Sequence, residues 1–326
     1  MAAFLRWDAS TPTDDIDDID PLEAAADELF LPREWVETVV QLLRDKGQLI
    51  LCGPLGTGKT YVAQRLAAEL TTSEEDRWLV QFHPSTSYEG FFEGYRPTTD
   101  ERGQLDYQLT AGPLARAARH AATNLDREHV LIIDEINRAN LPRVFGELMF
   151  LLDYRAHAIH TLYRASQPFR LPPNLRVIGT MNTADRSIAM IDAALRRRFH
   201  FVPMFPHETP LRELLARWGS EHGLDRRWSR LLEMVNDELI ADLGGPDLQV
   251  GPSHLMRSEP LDARSVERIW TYSIFPYIED QLFGQADAIA AYRWPAVVGR
   301  LDRLLAAEAA DLGEPDGSAA DLEEQD

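Results

Sequence analysis

The chain has 326 residues, 44% of them hydrophobic, with one cysteine and a formal charge of −20 at pH 7, enough to bury the core of one large domain or two modest ones. Its apolar runs, such as Val130–Ile133 and Met149–Leu152, fall far short of the roughly 20 residues of a membrane-spanning helix, and Met1–Trp7 lacks a signal-peptide pattern, so the expected compartment is the cytoplasm with no membrane association. Cys52 alone supports neither a disulfide framework nor a cysteine-ligated metal.

Taken in order, the first 30 residues are acidic: between Asp8 and Glu28 there are nine Asp or Glu and no Lys or Arg. Such single-sign tracts cannot bury enough apolar surface to offset ordering entropy, and residues 1–30 are predicted to be disordered. Residues 304–326 carry eight more acids and no base and receive the same reading. Without these tracts the body is nearly neutral, at −3, which neither requires nor excludes a DNA partner.

Apolar spacing at Trp35, Val36, Val39, Val40, Leu42 and Leu43 predicts a helix over 31–44. Residues 48–52 read as a short buried strand, 53–60 as a glycine loop opening a helix that runs to Leu70, and 78–82 as a second strand. A helix over 114–122, a β-branched strand over 130–134, a helix over 142–153, a strand over 175–180 and a helix over 188–198 follow. Strands alternating with helices predict an α/β domain with a parallel sheet covered on both faces, over 31–205. Beyond Pro206 the pattern turns helical, at 210–218, 228–239 and 261–275, which predicts a smaller helical domain over 206–303.

Four segments carry chemistry. The loop Gly53-Pro54-Leu55-Gly56-Thr57-Gly58-Lys59-Thr60 fits the phosphate-binding pattern in its required strand–loop–helix context. Its glycines let backbone N–H groups wrap a phosphate at a positive helix terminus; Lys59 is expected to reach the β and γ phosphates and Thr60 to ligate Mg²⁺. The strand ending at Asp134–Glu135 places Asp134 at its carboxyl end, where open α/β sheets bind ligands, as an Mg²⁺ partner, with Glu135 as general base toward water. Val177–Ser187 places Asn182 after a buried strand, as a phosphate sensor or as an ordinary polar turn; its NTAD stretch also echoes a guanine-reading motif, though position favours phosphate. Arg196, Arg197 and Arg198 span different helix faces. They cannot all serve one site: one or two read as fingers reaching a neighbouring subunit's site, or the three as cations placed favourably at a helix C-terminus.

The segments LIIDEINRANLPRVFGELMFLLD, GTMNTADRSIAMIDAALRRRF and FHPSTSYEGFFEGYRP resemble the McrB family of AAA+ GTPases from modification-dependent restriction systems, as does GPSHLM at Gly251–Met256. The resemblance runs from about Leu31 to about Phe283, with Met181–Arg186 its most specific part. It implies an AAA+ P-loop NTPase fold with a C-terminal helical lid, and a homo-oligomeric ring, hexameric or similar. It further implies GTP as the preferred nucleotide with Mg²⁺, an McrC-type nuclease partner, and DNA handled through the complex. By position it assigns nucleotide roles to Lys59, Thr60, Asp134, Glu135 and Asn182. It also implies trans-acting roles for Arg197 and Arg198, a neighbour-facing Arg138, a relay role for Asp185, and a lid approach by Ser253 and His254. Because only some 30 mostly acidic residues precede the AAA+ region, reading of modified bases is expected from another subunit. A MoxR-like ATPase that remodels proteins shares the first two motifs, as does a scaffold with incidental hydrolysis; MNTADRS favours the restriction motor over the one, Glu135 and the arginine cluster over the other. The aromatic segment Tyr88–Tyr95 reads as packing or as a pore lining, and His83, His157, His160 and His254 show no metal-ligand spacing.

Overall fold

The computed structural model describes residues 20–99, 103–184 and 193–311. Helix α1 (Pro21–Leu29) starts on Asp20, whose side chain accepts from the Leu22 amide, and buries Ala25, Ala26 and Leu29. The expected disorder of residues 1–30 therefore does not hold at 21–29: three small or apolar residues on one face are sufficient to dock a short helix while its acids stay outside. Helix α2 (Arg33–Lys46) buries Val36, Val39, Val40 and Leu43, as its periodicity predicts, and ends on Gly47 at φ 80°. Strand β1 (Gln48–Gly53) is buried throughout, and α3 (Lys59–Leu70) follows the glycine loop.

Then come β2 (Arg77–Gln81), the short α4 (Tyr88–Phe91), a hairpin of β3 (Glu93–Thr99) and β4 (Leu105–Ala111), α5 (Pro113–Thr123) and β5 (His129–Asp134). The helix predicted over 142–153 is broken into α6 (Leu141–Phe145) and α7 (Met149–Asp153). Between them Gly146 adopts φ 50°, ψ −130°, a conformation that favours glycine and ends a helix. A second hairpin, β6 (Ile159–Thr161) and β7 (Arg164–Phe169), precedes β8 (Leu175–Asn182), the short α8 (Ala193–Arg196) and β9 (His200–Pro203).

Five strands form one parallel sheet in the order β2-β5-β8-β1-β9. Successive residues point to opposite faces. Leu49, Leu51, Val130 and Ile132 pack with α1, α2 and α3, whereas Ile50, Cys52, Leu131 and Ile133 pack with α5, α6 and α7. Helices thus cover both faces, as the α/β reading predicts. Tyr88, Phe91 and Phe92 are buried on the second face, which makes this part of the aromatic segment packing, while Tyr95 is exposed.

The helical part comprises α9 (Leu211–His222), α10 (Arg226–Leu243), α11 (Ala263–Ile269), α12 (Phe275–Gln281), α13 (Ala286–Ala291) and α14 (Trp294–Asp311). A π-helical turn at Trp270–Ile274 joins α11 to α12. Trp218, Trp228, Trp270 and Tyr292 build its separate core. Helix α9 bridges the two parts, since Leu211 and Leu214 join the sheet core and Leu215 and Trp218 the helical one. Helix α14 runs past residue 304, with Leu305 against the helical core, so the expected disorder of 304–326 does not hold at 304–311. Among the described residues no helix is long and apolar enough to cross a membrane.

Candidate functional site

The glycine loop leaves the carboxyl end of β1. A Cβ on Gly53 would lie 2.2 Å from the Met204 carbonyl oxygen, so the chain passes there only as glycine. Gly56 and Gly58 adopt φ 78° and 81°, turning the loop amides toward the start of α3. Thr57 is buried and its hydroxyl donates to the Pro54 carbonyl, bracing the loop from inside, while Leu55 stays exposed. The Lys59 ammonium folds back on this loop, donating to the carbonyls of Gly53 (3.0 Å) and Pro54 (2.6 Å). Burial lowers its pKa to about 8, against the opposing pull of Glu135, Cys52 and Asp134.

Across from it, Asp134 ends β5. Its Oδ1 accepts from the Thr60 and Thr180 hydroxyls, each at 2.6 Å, and its Oδ2 from the Gln81 amide at 3.3 Å. Loop, Asp134 strand and Asn182 strand therefore meet at one point. Thr180 also accepts from the backbone amide of Glu135 at 3.1 Å. Glu135 itself sits at φ 54°, ψ 44°, one of two non-glycine residues in the left-handed region among those described, a cost sustained only where the surroundings hold the residue in place. Its carboxylate pairs with Arg138 at 3.2 Å. The hydroxyl of Thr60 and the carboxylate of Asp134 form the hard-oxygen donor set that Mg²⁺ selects, so the residues fit that ion.

Asn182 lies directly opposite Gly53 in the β1–β8 register, at the phosphate-loop end of the sheet. Its side-chain oxygen accepts from the Ala184 amide, and its carbonyl from the Asn137 side chain at 3.1 Å. Asp185 lies outside the described residues. The arginines sit elsewhere: the carbonyls of Arg197 and Arg198 accept from Lys46 and Gln48, at the amino end of β1, roughly 17 Å of strand from the loop. Arg198 lies 2.8 Å from Asp153 and its side chain is 12% exposed, whereas Arg197 lies 3.8 Å from the same carboxylate oxygen and its side chain is 70% exposed. Arg196 lies over the Phe201 ring. Arg196 differs from the other two, since its charge acts on Cys52, the residue before the loop.

The lid closes on the loop. The Gly251 amide donates to the Leu55 carbonyl and the Ser253 amide to the Gly56 carbonyl, both at 3.0 Å. A Cβ on Gly56 would lie 2.9 Å from the His254 ring, whose pKa is lowered by burial and by Arg257. Gln81, Thr180 and Asn137 joined the site without a sequence signal of their own. Gly251 belongs to the GPSHLM segment, whose resemblance points to a lid approach, but its contact with Gly56 has no signal of its own.

Residues 48–199 match the family described as AAA domain (dynein-related subfamily), and residues 227–290 match the McrB α-helical lid domain. The chain is 35% identical over 278 residues to the type IV methyl-directed restriction enzyme EcoKMcrB subunit of Escherichia coli (strain K12), covering 80% of this chain and 60% of that one. It is 24% identical to the type II restriction enzyme BsuMI component YdiS of Bacillus subtilis (strain 168), covering 72% and 78%. Protein sickie of Drosophila melanogaster is 26% identical over 87% of this chain, but only 13% of its own length is matched. The chain is thus a parallel-sheet AAA domain followed by a helical lid of the McrB type.

Proposed function

We propose that the chain is the GTP-hydrolysing motor subunit of an McrBC-type restriction complex, working as a ring with an McrC-like nuclease to drive DNA to cleavage. The observation that carries this reading is the meeting of Lys59, Thr60 and Asp134 at the ends of β1 and β5, beneath a lid of the McrB type. In this account the Lys59 ammonium exchanges its loop carbonyls for the β and γ phosphates, and the loop amides bind the remaining phosphate oxygens. Thr60 and Asp134 would hold Mg²⁺, which supplies positive charge against the phosphates. Glu135 takes the proton of the attacking water as its oxygen bonds the γ phosphorus; the bond to the β-phosphate oxygen breaks and the diphosphate leaves with the electron pair. The Arg138 contact and the Thr180 bond hold Glu135 in place for this. Asn182, beside Gly53, reports the phosphate state, and Asp185 relays partner binding. Arg197 acts in the neighbour's site, since it is exposed and remote from its own; Arg198, paired with Asp153, positions that helix end. GTP preference rests on the Met181–Arg186 resemblance, and the relative named as a methyl-directed restriction subunit supports the restriction role.

The test is hydrolysis of GTP and of ATP by the purified chain, alone and with the nuclease-like product encoded beside it. GTP turnover that rises with the partner is expected. Turnover of ATP alone, indifferent to the partner, would sink the reading.

A further inference from the structure

At the opposite end of the sheet from the glycine loop, three residues far apart in sequence converge. Asp76 closes the turn before β2, His120 lies in the last turn of α5, and His129 opens β5. Asp76 Oδ1 lies 3.1 Å from His120 Nε2 and 3.2 Å from His129 Nδ1, and the three atoms lie within 4.8 Å of one another. Asp76 and His129 are fully buried, while the His120 side chain is 31% exposed.

The hydrogen bonds dictate what these atoms present. His129 Nε2 faces the Asn124 carbonyl at 3.1 Å, which only accepts, so Nε2 carries the N–H. Its Nδ1 is buried, without a hydrogen bond, and directed at Asp76. With a lone pair on Nδ1 facing a carboxylate oxygen at 3.2 Å, two acceptors are opposed at buried atoms, which is costly unless a cation, a proton or a metal ion, lies between them. The other carboxylate oxygen is engaged: Oδ2 lies 3.2 Å from Arg127 and accepts from Thr72 at 3.4 Å. Oδ1 is thereby left toward the two imidazoles. A histidine that gives one ring N–H to a backbone carbonyl and aims the other nitrogen inward is the usual arrangement of a metal ligand.

We infer that Asp76 Oδ1, His120 Nε2 and His129 Nδ1 form a site for a divalent transition-metal ion, zinc by its ligand chemistry. Two imidazoles and one carboxylate suit Zn²⁺, with a fourth position open on the His120 side. In a tetrahedron with bonds of 2.0–2.1 Å the ligand atoms stand roughly 3.3 Å apart, close to the two separations to Asp76. The ion clasps α5 to the amino ends of β2 and β5. Ligands that turn over in open α/β sheets sit at the carboxyl ends, so its role is structural and separate from nucleotide chemistry.

The test uses the full chain, stripped with EDTA and free of nucleotide, titrated with Co²⁺. One equivalent is expected to produce the intense visible absorption of a four-coordinate site, which Zn²⁺ then abolishes by displacement. His120→Asn, at a partly exposed position, is expected to keep its circular dichroism and its Tm in EDTA while losing the band and the rise in Tm that Zn²⁺ gives the parent chain. Asp134→Asn is expected to keep the band, which separates this site from the nucleotide's metal. No band in the parent chain, a band unchanged by His120→Asn, or one lost with Asp134→Asn overturns the assignment. An outcome of the first kind identifies the cluster as an Asp–His–Arg ion-pair network only.

Discussion

The contact between lid and glycine loop leads to the sharpest prediction, because it depends on a missing methyl group. A Cβ at Gly251 would stand 2.0 Å from the carbonyl carbon of Gly56 and 2.4 Å from the Thr57 amide nitrogen. These are backbone atoms of the loop itself, so Gly251→Ala must displace the lid strap by about an ångström and a half to reach ordinary contact. The hydrogen bonds from Gly251 to Leu55 and from Ser253 to Gly56, both 3.0 Å, do not survive that shift. Each contributes about 1 kcal/mol, and the residual overpacking costs a further 1–3 kcal/mol or so. The docked lid is then destabilised by about 3–5 kcal/mol, which at 1.4 kcal/mol per decade is roughly a hundredfold or more in the docking equilibrium. The separate core around Trp228 and Trp270 keeps the lid folded. Gly245→Ala, where a Cβ meets nothing within 4 Å, is the neutral control. Titration with a fluorescent guanine nucleotide, paired with hydrogen exchange over 249–256, reads the effect: weaker binding and lost protection in Gly251→Ala alone. Affinity within twofold of the parent, with protection intact, refutes the view that the docked lid shapes the loop.

Lys59→Ala should abolish nucleotide binding in a folded chain, checked by calorimetry; retained binding removes the phosphate-loop assignment. Because burial lowers the Lys59 pKa to about 8, the free protein loses that proton between about 8 and the ordinary lysine value, where the unfolded chain still holds it. Stability of the nucleotide-free chain therefore carries a penalty below pH 8 that is relieved as pH rises above it. Phosphate needs the ammonium, so binding should take up a proton and weaken as pH rises through about 8, as calorimetry in buffers of different ionisation enthalpy would show. Glu135→Gln should bind nucleotide at parent affinity and fail to turn it over in a phosphate-release assay. Arg155, buried and donating to the carbonyls of Gly47 and Pro172 and to the Gln48 side chain, should cost about 2–4 kcal/mol when changed to Met, because those acceptors are left unpaired; urea unfolding measures it.

How far the sequence discloses this molecule depends on the range of the interaction. Gly53–Thr60 and Val130–Glu135 are legible because the chemistry of each lies within one run of residues. The alternation that buries Val130 and Ile132 on one face and Leu131 and Ile133 on the other needs only a strand. The β3–β4 hairpin escaped because its residues are polar and largely exposed, so no apolar alternation marks it. The break at Gly146 escaped because the apolar spacing continues on both sides of one glycine. The Asp134 contacts of Thr180 and Gln81, and the approach of Gly251 to Gly56, depend on how distant strands and the lid are brought together. Two histidines nine positions apart have no meaning as ligands until the parallel pairing of β2 with β5 sets Asp76 between them. The arginines show the reverse case: adjacent in sequence, Arg197 and Arg198 both face Asp153, and only the structure separates exposed Arg197, 3.8 Å from it, from mostly covered Arg198 at 2.8 Å.

If the neighbouring subunit completes the nucleotide site, as proposed, mixing two inactive variants shows it most directly. Lys59→Ala chains cannot bind nucleotide but present Arg197; Arg197→Ala chains bind nucleotide but lack the finger. Each alone should hydrolyse no GTP, and the mixture should regain turnover that peaks near equal proportions and rises with total protein concentration. No recovery at any ratio, with both variants folded and assembled with each other, would contradict the account.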